Sequence, residues 1–231
     1  MTIKEPYILY EDADIIALDK PSGIIVYPDG KHDYPALDAW LEKKYGVGNF
    51  HFVHRLDRET SGVLLVARTQ EAHAFLKEQF AEREVRKVYR AFVHGVIQDE
   101  RGVIDKPIGN ARGGMGPRST KQAHGQMREA LTTFRVIART TLATEGDRAS
   151  YVEVFPKTGR THQIRVHFSS IQHPVLSDRL YAPGRPKLFG FERLALHALS
   201  ITITHPSGKE MTFTAPLPPE FVTAEAQLRS Q

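Results

Sequence analysis

The chain has 231 residues, of which 41% are hydrophobic and 25% charged, and its formal net charge at pH 7 is +4. This length can bury a substantial core in one domain, and the mildly basic balance permits an anionic partner without requiring one. Because the sequence contains no Cys, it excludes disulfides, Cys-ligated zinc, iron–sulfur clusters and thiol nucleophiles. It contains no secretory signal pattern and no apolar run of membrane-spanning length, so we expect a soluble, cytoplasmic protein with no membrane partner.

The N-terminal part predicts short strands and then a helix. Apolar runs at residues 7–10 and 15–18 flank a polar turn, and a third run at 24–27 follows the rigid loop Lys20-Pro21-Ser22-Gly23. The residues alone leave open whether this loop is a plain hairpin turn or contacts a substrate. The apolar side chains of a helix follow before Gly46 and Gly48: Leu37, Trp40 and Leu41.

The central stretch His54-Arg55-Leu56-Asp57-Arg58-Glu59-Thr60-Ser61-Gly62 leads into Val63-Leu64-Leu65-Val66-Ala67, which predicts a buried strand. The charged segment ahead of it should lie at the mouth of a cleft, with Asp57 held among Arg55 and Arg58. Neighbouring guanidinium groups favour the charged form of a carboxyl, so we expect Asp57 to be ionised. Such an Asp can be a nucleophile, a general base or a metal ligand, whereas a surface Asp–Arg pair capping a turn is the simpler interpretation. The spacing does not decide between them.

A second helix is predicted over residues 70–83, and its apolar face is formed by Ala72, Phe75, Leu76 and Phe80. Residues 86–93 then predict a strand that begins with Arg86 and Lys87. Tyr89 in this strand is either a packed residue or an aromatic surface for a nucleobase, flanked by charges that neutralise phosphates.

Residues 109–125 are rich in Gly, contain little apolar surface and carry three cations, Arg112, Arg118 and Lys121. This composition predicts a mobile basic loop or the tip of a long hairpin. The segment matches neither the phosphate-binding loop nor the dinucleotide fingerprint.

Strands are predicted at 133–138 and 151–155, and the segment from Lys157 to Phe168 follows them. Thr161 is the predicted N-cap of a helix whose apolar face holds Ile164, Phe168 and Ile171. Arg160 and Arg165 flank its N-terminus, where anions are favoured.

The His residues of this segment, His162 and His167, are five apart, which is the wrong spacing for two ligands on one helical face. No His-Glu-x-x-His motif occurs, so we predict no metal site.

The C-terminal part predicts two strands, 198–204 and 211–214, around the turn Pro206-Ser207-Gly208. Pro216, Pro218 and Pro219 then end the domain before a short polar tail. The strand-dominated pattern predicts an α+β fold in one domain, residues 1–231, with an extended mixed, mainly antiparallel sheet and flanking helices.

Taken together and in order, these segments resemble the RluA-type family of RNA pseudouridine synthases over nearly the whole chain. The matching residues are Lys20-Pro21-Ser22-Gly23, His54-Arg55-Leu56-Asp57 with Thr60-Ser61-Gly62, Arg86-Lys87-Val88-Tyr89, the run from Gly159 to His167, His173-Pro174 with Asp178 and Tyr181, and Leu196-His197-Ala198. Two positions depart from the family pattern: Asp19, where Asn is common, and Ser177, where Gly is common. The resemblance implies the branch that has no separate S4 RNA-binding domain.

The resemblance implies a catalytic domain with an RNA-binding cleft that isomerises uridine to pseudouridine without a cofactor. The base is detached at N1, turned and rejoined to ribose through C5. The implied partner is ribosomal or transfer RNA, and no DNA partner is expected. Because no dimer-forming helix or long exposed apolar segment stands out, we expect a monomer.

Site roles also follow from the resemblance. Asp57 corresponds to the essential catalytic residue, Arg165 to the Arg that pairs with that carboxylate, and Tyr89 to the Tyr that stacks on uracil. Arg55 corresponds to the residue that enters the RNA as the base flips, at a cost of roughly a few kcal/mol for unstacking. The remaining expected substrate contacts are the apolar wall residue Leu196 and the phosphate-binding residues Arg58, Arg86, Lys87 and Arg160.

Two other functions remain to be weighed. A non-catalytic RNA-binding or RNA-folding module could use the same basic cleft, although loss of the Asp or the Tyr would favour it and both are present. An unrelated hydrolase built on Asp57 would need a second carboxylate or an oriented His at a matched position, and the spacing provides neither.

Overall fold

The computed structural model describes residues 5–28, 30, 33–110, 118–120, 124–140 and 148–230. No helix in these described ranges is long and apolar enough to cross a membrane. The elements in chain order are β1 (Tyr7–Glu11), β2 (Ile15–Lys20), α1 (Leu37–Tyr45), β3 (His51–Phe52), β4 (Ser61–Ala67), α2 (Gln70–Ala81), β5 (Arg86–His94), β6 (Arg101–Asp105), β7 (Ile108–Asn110), β8 (Arg118–Ser119), β9 (His124–Arg128), β10 (Leu131–Arg139), β11 (Ala149–Pro156), α3 (Gln163–Ser170), β12 (Leu196–Thr204), β13 (Glu210–Thr214) and α4 (Pro219–Arg229).

The chain forms two compact units. The first contains Met1–Lys87 and His197–Pro216, and the second contains Val88–Leu196 and Leu217–Gln231. The chain therefore leaves the first unit within β5 and returns to it within β12.

In the first unit, β4 is the central strand. Antiparallel β2 pairs with it on one side and parallel β12 on the other, while β1 pairs with β2 and β13 with β12. All seven residues of β4 are buried, which confirms the predicted buried strand. The helix α2 begins at Gln70 as predicted, because the Thr69 hydroxyl accepts a hydrogen bond from the Ala72 N–H at 3.1 Å.

The apolar face of α2 differs from the prediction at one position. Leu76 and Ala72 are buried in the core of the first unit, whereas the Phe75 side chain is 37% exposed. Phe75 directly precedes Leu76, so it points about 100° away from it around the helix.

In the second unit, the antiparallel strands follow the order β5-β11-β10-β6, and β7, β8 and β9 form a separate small sheet. Residues paired directly across strands share one face of a sheet. Tyr89, Val154 and Phe134 are paired in this way, and the Phe134 ring lies 5.2 Å from that of Phe168 in α3. The face that carries Tyr89 is therefore the face that α3 covers.

The opposite face of this sheet is covered by α4. Phe92 and Tyr151 are paired on that face, with ring centroids 4.3 Å apart, and the Phe92 ring lies 5.8 Å from that of Phe221 in α4. Arg90, two residues before Phe92 in β5, lies on the same face. These assignments place α3 and α4 on opposite sides of the second unit's sheet.

The helix α4 occupies the region predicted as a polar tail. It buries Phe221, Ala224 and Leu228 in the core of the second unit. The sequence contains the signal for this helix, because these residues recur at intervals of three and four. Pro219 does not oppose it, because a Pro in the first turn of a helix lacks only an N–H that would have no partner inside the helix.

The mixed but mainly antiparallel sheet with flanking helices confirms the predicted α+β class. Of the segment predicted as a mobile loop, residues 109–110, 118–119 and 124–125 lie in the small sheet. Arg112 and Lys121 lie outside the described residues.

Candidate active site

Asp57 lies in the loop that leads into β4, and its side chain is half-buried. This loop is fixed by the Lys20-Pro21-Ser22-Gly23 loop of the same unit. The Ser22 hydroxyl donates to the carbonyl of Glu59 at 2.8 Å, and the Gly23 N–H donates to the carbonyl of Arg58 at 2.8 Å. The backbone directly after Asp57 is therefore held in one position.

Lys20 completes this support from inside the protein, where it is fully buried. Its ammonium group donates to three backbone carbonyls, those of Pro21 (2.9 Å), Ile24 (2.9 Å) and Arg58 (3.2 Å). A buried ammonium group is tolerated when its N–H donors have acceptors, and here each of the three has one. The Lys-Pro loop is thus the structural support of the Asp57 loop.

His54 supports the start of β4. Its Nε2 accepts a hydrogen bond from the Leu65 N–H at 2.9 Å, and its ring stacks on that of Phe80 with centroids 4.9 Å apart. Burial, with a smaller contribution from nearby Lys87, lowers the pKa of His54 to about 3. The imidazole is therefore neutral and accepts a hydrogen bond where a protonated ring could not.

The residues after Asp57 join β4 to β12. The Ser61 hydroxyl and Nδ1 of His197 are 2.9 Å apart. A Cβ at Gly62 would lie 2.1 Å from the Ala198 carbonyl oxygen, and Gly62 has a φ of +111°. Only Gly fits at position 62, because the backbone of Ala198 approaches it so closely.

The cations predicted around Asp57 have different surroundings. Arg55 is exposed. The Arg58 guanidinium lies 4.2 Å from the centroid of the Tyr34 ring, and its Nη2 lies 3.6 Å from Oε1 of Glu59. The aromatic ring and the adjacent acid both attract this cation, and its predicted place beside the Asp57 carboxylate stays a prediction.

The predicted phosphate-binding residues at the start of β5 also differ from each other. Arg86 forms an exposed ion pair with Glu210, with 2.8 Å between Nη2 and Oε1. Lys87 is half-buried, and burial lowers its pKa to about 8. The Lys87 charge is therefore the one that depends on pH near neutrality.

Tyr89 and Leu196 belong to the second unit. Tyr89 is half-buried and packs against the hydrophobic core, on the sheet face covered by α3. Leu196 is a core residue with 3% of its surface exposed.

Arg165 of α3 is held by a buried ion pair with Asp178. Its Nε and Nη2 lie 2.7 and 2.8 Å from Oδ2 and Oδ1 of Asp178, so the pair is bidentate. The Tyr181 ring centroid lies 5.1 Å from its guanidinium carbon. Asp178 Oδ1 also accepts from the backbone N–H groups of Leu180 and Tyr181. The orientation of Arg165 is thus fixed on several sides.

Sequence reasoning missed this partner of Arg165, although Asp178 was among the matched residues. A usable signal was present, since a buried Arg requires an acid and Asp178 is the acid nearest in sequence within the matched motifs. The predicted pair of Arg165 with Asp57 joins residues of the two units and stays a prediction.

The segment before α3 is organised by the Gln163 side chain. Its Oε1 accepts hydrogen bonds from the Thr158 hydroxyl and the Arg160 N–H, and its Nε2 donates to the Leu131 carbonyl and the Thr132 hydroxyl. These bonds hold a turn that continues through His162, whose φ is 57°.

The helix consequently begins one residue later than predicted. Its N-cap is His162, without a side-chain cap hydrogen bond, so the prediction of Thr161 as N-cap was wrong. The Gln163 amide organises the turn that a Thr161 hydroxyl was expected to cap.

Two further residues near α3 connect it to its surroundings. The Arg160 Nε donates to the Glu129 carbonyl at 3.0 Å. The Tyr181 hydroxyl accepts from the Arg118 N–H at 2.8 Å and lies 3.0 Å from Nδ1 of His162. Tyr181 therefore joins strand β8 of the small sheet to the start of α3.

One cluster among the described residues has the composition of a metal site: ligand atoms of Asp12, Asp14 and His205 lie within 4.8 Å of one another. His205 Nδ1 accepts from the Ser207 N–H at 3.1 Å, and Nε2 lies 3.0 Å from Oδ2 of Asp12. This arrangement places the imidazole proton on Nε2, the nitrogen that a metal would need. We therefore assign no metal to the cluster.

Comparison with known proteins identifies the family. A model of the RNA pseudouridylate synthase family matches residues 14–170. The chain is 37% identical over 219 residues to the dual-specificity RNA pseudouridine synthase RluA of Escherichia coli strain K12, covering 92% of this chain and 94% of that protein. It is also 37% identical over 229 residues to ribosomal large subunit pseudouridine synthase D of Zymomonas mobilis, covering 91% of this chain and 69% of that protein.

A solved structure agrees with this assignment. The human RNA pseudouridylate synthase domain containing 1 protein superposes with a TM-score of 0.77 at 30% identity, over 94% of this chain and 86% of that one. The fold, the matched motifs and these similarities together show that the chain belongs to the RNA pseudouridylate synthase family and is an RNA pseudouridine synthase.

Proposed function

We propose that the chain converts uridine to pseudouridine in ribosomal RNA, with Asp57 as the catalytic carboxylate. The observation that carries this assignment is the fixed loop after Asp57, supported by Lys20, Ser22 and Gly23. A catalytic group lowers the activation free energy most when its position is fixed before the substrate binds, because no free energy is then needed to order it during the reaction step. Relatives at 37% identity that are named for the large ribosomal subunit favour ribosomal over transfer RNA.

Tyr89 and Arg165 act with Asp57 on the same flipped uridine in this proposal. Tyr89 and the helix α3, which carries Arg165, lie on the same face of the second unit's sheet, so both side chains belong to the same side of that unit. Tyr89 stacks on the uracil ring, a contact worth about 1–3 kcal/mol per base. Two of the five N–H groups of Arg165 bind Asp178, which sets the direction in which its charge acts on the catalytic carboxylate.

The basic residues bind the RNA backbone. Exposed Arg55 enters the RNA beside the flipped base, and Arg58, Arg86, Lys87 and Arg160 neutralise phosphates. A phosphate next to Lys87 would favour its charged form and oppose the effect of burial on its pKa. Binding should then weaken steeply as the salt concentration rises.

The remaining roles follow the same assignment. Leu196 contributes apolar surface beside the uracil, no cofactor takes part, and DNA is not a substrate. The enzyme acts as a monomer in the cytoplasm.

The test is release of tritium from large-subunit ribosomal RNA labelled at uridine C5, since C5 loses its hydrogen when it bonds to ribose. Asp57→Asn should abolish release while leaving RNA binding at matched salt within about twofold. Asp105→Asn, an exposed carboxylate in β6, is the matched control and should release tritium at the wild-type rate. Wild-type release by Asp57→Asn would refute the catalytic assignment.

A further inference from the structure

A cavity of about 340 Å³ opens in the second unit, next to α4. Its lining includes Arg90, Tyr151 and residues of β10, and Arg90 and Tyr151 belong to the sheet face opposite Tyr89 and α3. The volume falls in the range of small-molecule sites, about 300–1,000 Å³. The cavity is thus a second concave surface of ligand size on the other side of the sheet from Tyr89 and Arg165.

The charges at this cavity leave an excess of positive charge. Three guanidinium groups line it, those of Arg90, Arg135 and Arg229. Glu153 pairs with both Arg90 and Arg135, and Glu225 pairs with Arg229. Three positive charges against two negative ones leave a net charge of +1, which favours an anion.

Two hydrogen-bond donors of the lining residues are without a partner. Among the described residues, neither the Tyr151 hydroxyl nor Nε of Arg90 has a hydrogen-bond acceptor, and each atom exposes less than 1 Å². Burial raises the pKa of Tyr151 to about 12, so its hydroxyl keeps its proton at neutral pH. Buried donors in native proteins are nearly always satisfied, so this pair points to an acceptor supplied by a ligand.

The rest of the lining is apolar. Val136, Ile137 and Leu217 contribute to it. The β10–β11 pairing shifts register between Val136 and Ala138, which is a β-bulge at the position of Ile137. A bulge redirects side chains locally, and here it occurs at the wall of the cavity. A ligand of matching chemistry therefore has an apolar body as well as an anionic group.

We propose that this cavity binds a small organic anion, a compact apolar body that carries a phosphate or carboxylate group. The anionic oxygens accept from the Tyr151 hydroxyl and the Arg90 Nε–H, and the apolar body packs on Ile137 and Leu217. Such a ligand stabilises the second unit from the face that α4 covers and does not compete with RNA for Tyr89.

Isothermal titration calorimetry of the full chain with phenyl phosphate, benzoate, inorganic phosphate and benzyl alcohol tests this site. We expect saturable one-site binding of phenyl phosphate or benzoate, at least tenfold weaker binding of inorganic phosphate, and none of benzyl alcohol. Tyr151→Phe and Arg90→Met should each weaken binding at least fivefold. The control Arg128→Met, at an exposed position in β9 of the small sheet, should leave it unchanged.

Arg229 provides a variant that leaves the core intact, because it is exposed near the end of α4. Arg229→Met should weaken phenyl phosphate binding even where Arg90→Met fails to fold. Absence of saturable heat for both organic anions would overturn the proposal. It would also be overturned by binding that survives in Arg229→Met and Tyr151→Phe, or by displacement of the probe by a short single-stranded RNA, which would place the cavity in the RNA footprint.

Discussion

Replacing Asp178 by Asn removes the charged partner of Arg165 with almost no change in volume. The carboxylate accepts four hydrogen bonds, two from the Arg165 guanidinium and two from the backbone N–H groups of Leu180 and Tyr181. Asn keeps one acceptor oxygen for the backbone donors, but its NH₂ group faces an Arg165 N–H, and neither can accept.

The expected cost is large because both side chains are buried, with 6% and 0% of their surfaces exposed. Breaking a buried ion pair by neutralising one partner costs about 3–5 kcal/mol. Asp178→Asn should therefore lower the free energy of unfolding by about that amount. The double variant Arg165→Met/Asp178→Asn should recover part of the loss, because no unpaired charge is then left inside.

Urea unfolding followed by circular dichroism measures these differences, with Asp105→Asn as the exposed control. Tritium release at saturating RNA should also fall in Asp178→Asn, since Arg165 loses its orientation, while RNA binding stays close to wild type. A loss of stability below 1 kcal/mol would refute the assignment of this pair as a buried, energetically important contact.

Two further predictions concern β4 and its neighbours. Gly62→Ala should destabilise the protein by more than about 3 kcal/mol, because the added Cβ would clash with the Ala198 carbonyl and the φ of this residue is unfavourable for Ala. Gly23 has a φ of +99° but open space around it, so Gly23→Ala should lower the free energy of unfolding by only about 1 kcal/mol in the same urea titration. His54 has a folded pKa of about 3 against 6.5 for the free side chain, so the unfolded chain binds its proton first as the pH falls. Stability should therefore drop by roughly 1 kcal/mol per pH unit as the pH falls from 6 to 4, from this group alone. His54→Gln should remove that part of the slope in unfolding curves recorded across this range, and an unchanged slope would contradict the neutral, buried imidazole.

The sequence predicted most accurately those elements that depend on residues close together in the chain. The run from Val63 to Ala67 is apolar throughout and forms a buried strand, and Thr69 is a sufficient start signal for α2. The Pro residues at 216, 218 and 219 indicate the end of the domain, whereas Phe221 and Leu228 carry the periodicity of α4. The local stop signal and the longer-range apolar pattern conflict at this point of the chain, and the structure follows the apolar pattern.

The candidate site was predictable only as residue types. The sequence singled out Asp57, Tyr89 and Arg165, but it could not show that buried Lys20 supports the backbone after Asp57 or that Asp178 holds Arg165. Thr161 was expected to cap α3 because it has a hydroxyl in the right place, whereas a side-chain amide from the helix itself organises the turn. Such contacts depend on tertiary geometry that residue spacing does not encode.

The parallel pairing of β4 with β12 has a consequence for synthesis of the chain on the ribosome. β3 pairs with Val66 and Ala67 of β4, but β12, which pairs with its first residues Ser61 and Gly62, begins only at Leu196. Until then a nascent chain would leave these residues of β4 without their native strand partner, and an incompletely paired edge is one on which chains aggregate. We expect truncated chains that end before His197 to be insoluble or bound by chaperones. Chains that extend through Pro216 should be soluble and free of chaperones.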